Sequence, residues 1–310
     1  MRVLIAGCGY VGSALATQLV QAGHSVFGLR RTINQLPAGV AGIAADLSDP
    51  STLTALPEVD TLVYCAAAGG RTPENYEAAY VRGVENVLCA LEGTPLTRAV
   101  LTSSTAVYAQ DDGSDVDEGS PTEPQSFSGR TLLRSEALFR ERLGERGVVL
   151  RLSGIYGPTR TRLVRTVAEG TTPAPPASRL SNRIHVEDCA GAIAHLLEQE
   201  SPAPCYVGVD DDPGPLRDVM AFIAARIGAP WPPTPDLVAD PAPERDGQPS
   251  ASVTRRAAGD NKRCSNRLLR AAGYSFRYPS YRDGYPAICD EFLSSSAGGR
   301  GADADRGTPR

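Results

Sequence analysis

The chain has 310 residues, 41% of them hydrophobic, and a formal net charge of −5. That length and apolar fraction support one large α/β domain or a nucleotide domain with a smaller partner, and the acidic balance excludes a broad basic face for nucleic acid. Seven scattered cysteines without a C-x-x-C, three distant histidines and no bilayer-length apolar run argue against a metal centre, a disulfide framework and a membrane segment. The first apolar run carries glycines and opens a fold, so no signal peptide is read and a cytoplasmic location is expected.

Residues 3–6 (VLIA) read as a short buried strand, and Gly7-Cys8-Gly9-Tyr10-Val11-Gly12 follows as G-x-G-x-x-G. Val11, Leu15, Leu19 and Val20 then recur at helical spacing, and Gly23 stops the helix. In this strand–turn–helix context Gly7 permits the tight turn, Gly9 lets a pyrophosphate approach the backbone, and Gly12 lets helix and strand pack closely. Tyr10 and Val11 open the helix, whose N–H groups and positive end favour phosphate, so they join the candidate dinucleotide site.

Residues 25–29 form the second predicted strand, with Arg30 and Arg31 at its end, where an NAD site usually has an acid for the ribose 2′-hydroxyl. Two guanidiniums there fit a 2′-phosphate, chiefly through Arg30 with help from Arg31; the plainer reading is a solvated charge pair. NADP is therefore the expected cofactor, with NAD as the alternative. Residues 42–45 make a third strand, and Asp46 and Leu47 after it either hold adenine or cap a helix ahead of Thr52. The fourth strand, 59–67, ends in Ala66 and Ala67, small enough for a cofactor to lie against the backbone.

A helix at 76–92, strands at 98–103 and 148–152, and a strand at 205–209 complete an alternation that implies a parallel, doubly wound sheet. The second half reads as a Pro-rich loop at 171–177, a helix at 216–227, a long loop at 230–260 and a short helix at 266–272. Residues 294–310 read as a disordered tail. The expected domains are a nucleotide-binding unit, 1–170, and a mainly substrate-binding region, 171–293, with interleaved returns to the sheet.

The ordered set GCGYVG, DLSDP, YCAAAG, YVRGVENV, LTSSTAVY, RLSGIYGP and RIHVEDCA resembles the extended short-chain dehydrogenase/reductases of the NAD-dependent epimerase/dehydratase group. The segment from Asn261 to Gly284 (NKRCSNRLLRAAGYSFRYPSYRDG) is similar to the C-terminal part of an atypical bacterial subgroup. The resemblance implies an NAD(P)-binding Rossmann fold, a smaller C-terminal substrate domain, and a small substrate such as a sugar nucleotide or other anionic compound. A homodimer is an open expectation. It also implies a Ser or Thr after the fifth strand and a Tyr and Lys spaced as Y-x-x-x-K, the Lys lowering the phenol's pKa.

Ser103 and Ser104 lie in the serine segment, with Ser104 at the catalytic position. Ser128 and Leu132, however, stand where the resemblance requires Tyr and Lys. Tyr108 and Tyr156 are the candidate substitute phenols, each also readable as a packed aromatic. Arg183 and His185 are candidate substrate contacts or domain-junction residues, and Arg160, Arg162 and Arg165 could meet an anionic group or form a solvated face. Three functions fit: an oxidoreductase or epimerase with a rearranged relay, a degenerate dinucleotide-binding sensor or interaction protein, or an isomerisation or elimination using Ser104 and water.

Overall fold

The computed structural model describes residues 1–232 and 261–301. Seven strands form one parallel sheet: β1 (Arg2–Ala6), β2 (Ser25–Arg30), β3 (Ala41–Ala44), β4 (Thr61–Tyr64), β5 (Arg98–Ser104), β7 (Gly147–Leu152) and β11 (Cys205–Gly208). Two residues at Asp115–Val116 make β6, and β8 (Gly154–Tyr156), β9 (Leu180–Ser181) and β10 (Arg183–His185) lie between β7 and β11 in the chain. Across the sheet the order is β11-β7-β5-β4-β1-β2-β3, so the direction of winding reverses between β1 and β4. In open α/β sheets that reversal opens a crevice at the carboxyl ends of the strands.

The period-2 alternation of β1 sorts its side chains between two cores. Val3 and Ile5 face α1 (Tyr10–Gln21) and α6 (Val186–Glu198), where Leu15, Leu19, Ile193 and Leu196 are fully or almost fully buried. Leu4 and Ala6 face the opposite layer, built on α3 (Gly83–Ala90) and α4 (Phe127–Leu143), with Val84, Val87 and Phe139. Full burial of such a side chain is worth about 1.5–3 kcal/mol, so these two layers hold the sheet rigid behind its carboxyl edge. A third, smaller core joins Val164 and Val167 of α5 (Arg162–Glu169), Val219 and Ile223 of α7 (Leu216–Ile227), and Tyr285 and Ile288 of α9 (Tyr281–Gly301).

The chain thus begins the third core with α5, returns to the seven-stranded sheet through α6 and β11, and completes that core with α7 and α9. The fourth strand stops at Tyr64, and Cys65, Ala66 and Ala67 leave the ladder as irregular chain. The helix expected at 76–92 begins earlier, because the Thr72 hydroxyl accepts the Asn75 N–H at 3.3 Å and Pro73 takes the first helical position of α2 (Pro73–Glu77). A single π-helical turn, Ala78–Arg82, joins α2 to α3.

The C-terminal tail expected from residue 294 is corrected in part. α9 runs on to Gly301, with the Ser294 and Ser295 hydroxyls donating to the carbonyls of Asp290 and Phe292 at 2.8 Å each. Composition favoured a coil there; a helix already seated by Tyr285, Ile288 and Cys289 extends through it. The expected loop at 230–260 lies outside the described residues beyond position 232, as does the tail beyond 301. No helix among the described residues is long and apolar enough to cross a membrane.

Candidate functional site

The β1–α1 turn is fixed by backbone contacts. Gly7 sits at φ +90°, and the N–H groups of Gly7 and Cys8 both donate to the Leu29 carbonyl at 3.0 Å, tying the turn to β2. A Cβ on Gly7 would lie 2.4 Å from the backbone of Ala66, and one on Gly12 would lie 2.9 Å from the Gly7 carbonyl and 3.0 Å from Ile5. Gly9 differs: its Cβ would meet nothing nearer than the Gly7 carbonyl at 3.9 Å. Gly7 and Gly12 are therefore demanded by packing, whereas the space above Gly9 is kept clear of protein. α1 starts at the next residue with no side-chain cap.

A cavity of about 530 Å³ runs along this carboxyl edge. Gly7, Gly9, Tyr10 and Val11 line its middle; Ala66 and Ala67 line it from β4; Gly12 packs beneath it. Arg30, Arg31, Asp46 and Leu47 line one end, and Ser103 and Ser104 the other. The structure thus brings the residues expected for a cofactor together along one groove.

At the first end, half-buried Arg30 donates to the Cys8 carbonyl at 3.3 Å and to Gln35 at 3.2 Å, while Arg31 is exposed. Arg30 thus also holds the turn, and Arg31 and Thr32 line the same end of the groove beside it. Asp46 accepts the Ser48 N–H at 2.9 Å and the Ser48 hydroxyl at 2.7 Å. Those bonds, with a smaller contribution from Arg31, hold its carboxyl below the usual range. The helix cap itself falls to Asp49, which accepts the Ser51 N–H ahead of a short turn at Pro50–Leu53.

At the other end, the half-buried Ser104 hydroxyl accepts the Ala106 N–H at 3.2 Å, which leaves its own proton to donate. Leu132 lines the groove; Ser128 does not, and its hydroxyl donates to Ser126 at 3.1 Å. Three further lining residues are Ser153, Arg160 and Tyr80. Ser153 is buried, and its hydroxyl is one of the few buried polar atoms with no hydrogen-bond partner among the described residues. Arg160 stacks on Tyr10, its guanidinium carbon 4.2 Å from the ring centroid, and donates to the Ile155 carbonyl at 3.0 Å. Thr159 before it holds φ +66°.

Six sequence candidates are not brought into the groove, two of them, Arg162 and Arg165, in the first turn of α5. Tyr108 is buried, and its hydroxyl accepts from Arg151 at 2.9 Å. Tyr156 is stacked on Tyr285 with centroids 4.9 Å apart and donates to the Ser280 carbonyl at 3.3 Å. Burial pushes both phenols up. Each is the packed aromatic, held by partners remote in sequence. Arg183 is buried under the Tyr281 ring and donates to the Ser181 hydroxyl. His185 caps α6, its Nδ1 accepting the Glu187 N–H at 3.3 Å, and its ring meets those of Tyr156 and Tyr278.

Burial, then the nearby Arg277 charge, pushes His185 down to about 4. Its proton therefore rests on Nε2 near neutrality. The unfolded chain takes a proton near pH 6.5 that the folded chain refuses until about pH 4. Stability present above 6.5 is lost as pH falls through this window, by roughly 2–3 kcal/mol. His185→Asn retains an acceptor for the cap and removes the titration. Urea midpoints of the variant should fall less steeply between pH 6.5 and 4, and parallel profiles would place the acid sensitivity elsewhere.

A sequence model described as the NAD dependent epimerase/dehydratase family matches residues 3–208. The Escherichia coli (strain K12) protein YeeZ is 31% identical over 235 residues, covering 73% of this chain and 83% of YeeZ. A Streptomyces 3-diazoavenalumate denitrifying reductase is 28% identical over 310 residues, covering 92% and 99%. A solved structure from Methylobacillus flagellatus, named for the same family, is 36% identical, with a TM-score of 0.76 over 94% of this chain and 98% of that one. With the parallel sheet, the G-x-G-x-x-G turn and the groove above it, these likenesses make the chain a member of the NAD-dependent epimerase/dehydratase family.

Proposed function

We propose that the chain binds a nicotinamide dinucleotide, NADP in preference to NAD, and uses it to reduce a small carbonyl compound. The observation that carries this reading is the continuous groove from Arg31 and Asp46, past Gly9, to Ser104 and Ser153. The residues fit the group. The clear space above Gly9 and the uncapped start of α1 suit a pyrophosphate. Arg160, held beside Tyr10, adds a charge to the same place. Asp46 and Leu47 suit adenine, and Arg31 with Thr32 suits a ribose 2′-phosphate. The Ser153 hydroxyl, without a hydrogen-bond partner among the described residues, suits the amide of the nicotinamide. A bound reduced nicotinamide supplies hydride; Ser104 donates a hydrogen bond to the substrate oxygen. The proposed substrate is a carbonyl-bearing anion, such as a keto-sugar nucleotide or another small anionic ketone.

A second reading, static binding without turnover, is favoured by Leu132, which lines the groove and to which the resemblance assigns the relay lysine's place. Calorimetry with NADPH and NADH tests the shared premise. NADPH should bind at least about tenfold more tightly, since a charge-assisted bond is worth about 1.5–3 kcal/mol. Arg31→Asp should reverse the preference, with a smaller effect from Arg30→Asp. Equal affinities in the parent would show that the arginines only face solvent. Oxidation of bound NADPH by added carbonyl compounds separates the reductase from the static binder.

A further inference from the structure

The groove contains a phenol that the departure at Ser128 leaves unused. Tyr80 lines the same cavity as Ser104 and packs against the cluster that includes Leu132. It is half-buried, and its ring lies 5.2 Å from that of Tyr76. Its hydroxyl is near the Ala68 backbone, just beyond the groove-lining Ala66 and Ala67.

Tyr80 is presented by the π-helical turn Ala78–Arg82. Such one-residue insertions into helices frequently occur at functional sites, because they re-aim a side chain. The cause is local and specific. The buried Tyr64 hydroxyl donates to the Ala79 carbonyl inside that turn. A Cβ on Gly83 would lie 2.4 Å from the same hydroxyl, so the glycine makes room for it. A tyrosine on β4 and a glycine on α3 thus hold the turn that carries Tyr80 to the groove.

We propose that Tyr80 is the proton donor to the substrate carbonyl, in place of the tyrosine that Ser128 replaces. This rests on the reductase reading above. With a reduced dinucleotide bound, which would supply hydride to the carbonyl carbon, Tyr80 would give its phenolic proton to the oxygen and be reprotonated by solvent; ketone, reduced dinucleotide and one proton would become alcohol and oxidised dinucleotide. Burial, with Tyr76 beside it, holds the Tyr80 phenol above its ordinary pKa, in the form that gives a proton to a forming alkoxide.

The test compares the full chain with Tyr80→Phe, which removes one hydroxyl from a half-buried ring. Cofactor affinity is measured first by calorimetry with NADPH and with NADP. Tyrosinate absorbance is then followed with rising pH, with and without NADP, and the variant's curve is subtracted from the parent's. If Tyr80 lies at the reacting end, the positive nicotinamide ring lowers its ionisation by about one pH unit in the parent. NADP binding without any such shift overturns the Tyr80 assignment and leaves the reductase reading in place. No dinucleotide binding in the folded parent overturns the underlying reading and the assignment with it. With any carbonyl compound that the parent reduces, Tyr80→Phe should lose about 10²–10⁴-fold in kcat at unchanged cofactor affinity. A loss below threefold would equally overturn it.

Discussion

Gly9→Val should abolish dinucleotide binding while the chain remains folded. A Cβ at this position meets no protein atom within 3.4 Å, and the backbone φ is −96° rather than positive. The isopropyl group would instead fill the space in which a pyrophosphate reaches the N–H groups at the start of α1. The cost to the fold should stay within about 1 kcal/mol, the usual range for a poor residue at a helix N-cap. Calorimetry and urea unfolding on the same preparation check both halves. Retained affinity in a folded variant would remove the pyrophosphate from this turn.

Gly7→Ala provides the contrasting outcome. Its Cβ would lie 2.4 Å from the Cα and N of Ala66, and the residue would have to keep φ +90°. Neither neighbour is the movable end of a side chain, so the turn itself must shift. A stability loss of roughly 3 kcal/mol or more should accompany any loss of binding. The two glycines, two residues apart, thus separate what packing demands from what a ligand demands.

This distinction marks what the sequence made legible. The β1–α1 unit was readable because its determinants are local: a short run of consecutive apolar residues, three glycines at fixed spacing, and a helical repeat. The groove followed, since Arg31, Asp46 and Ala66 all stand at the ends of predicted parallel strands. Tyr80 was hidden because the turn that presents it depends on Tyr64 and Gly83, and a 3.6-residue period does not report a π-helical insertion. Tyr108 and Tyr156 stayed open between substitute phenol and packed aromatic for a related reason. Their hydroxyls are satisfied by Arg151, 43 residues away, and Ser280, 124 residues away, which no spacing within their own segments reveals. Ser153 was overlooked because a small hydroxyl residue before a glycine reads as a turn.

Glu136→Leu should cost about 3–5 kcal/mol and damage the substrate end of the groove. Glu136 is fully buried, and its carboxylate accepts from the Ser103 hydroxyl at 2.6 Å, from Arg151 at 3.0 and 2.8 Å, and from Arg140 at 3.2 Å. The remaining arm of Arg151 reaches the Tyr108 hydroxyl. Removing the carboxylate leaves a buried guanidinium without its counter-charge, and that uncompensated charge is the main source of the loss. Arg151→Met should be similarly harmful for the converse reason. The double variant, Glu136→Leu with Arg151→Met, should lose much less than the sum, because neither charge is then stranded. Tyr108→Phe should cost only about 1 kcal/mol and leave dinucleotide affinity unchanged, as a packed ring held by one hydrogen bond would. Urea unfolding of the four variants tests the coupling, with Glu136→Gln as a milder substitute if Glu136→Leu does not fold. Additive losses would dissolve the network into independent contacts. A large loss of cofactor affinity in Tyr108→Phe would return that phenol to the site from which its bond to Arg151 removes it.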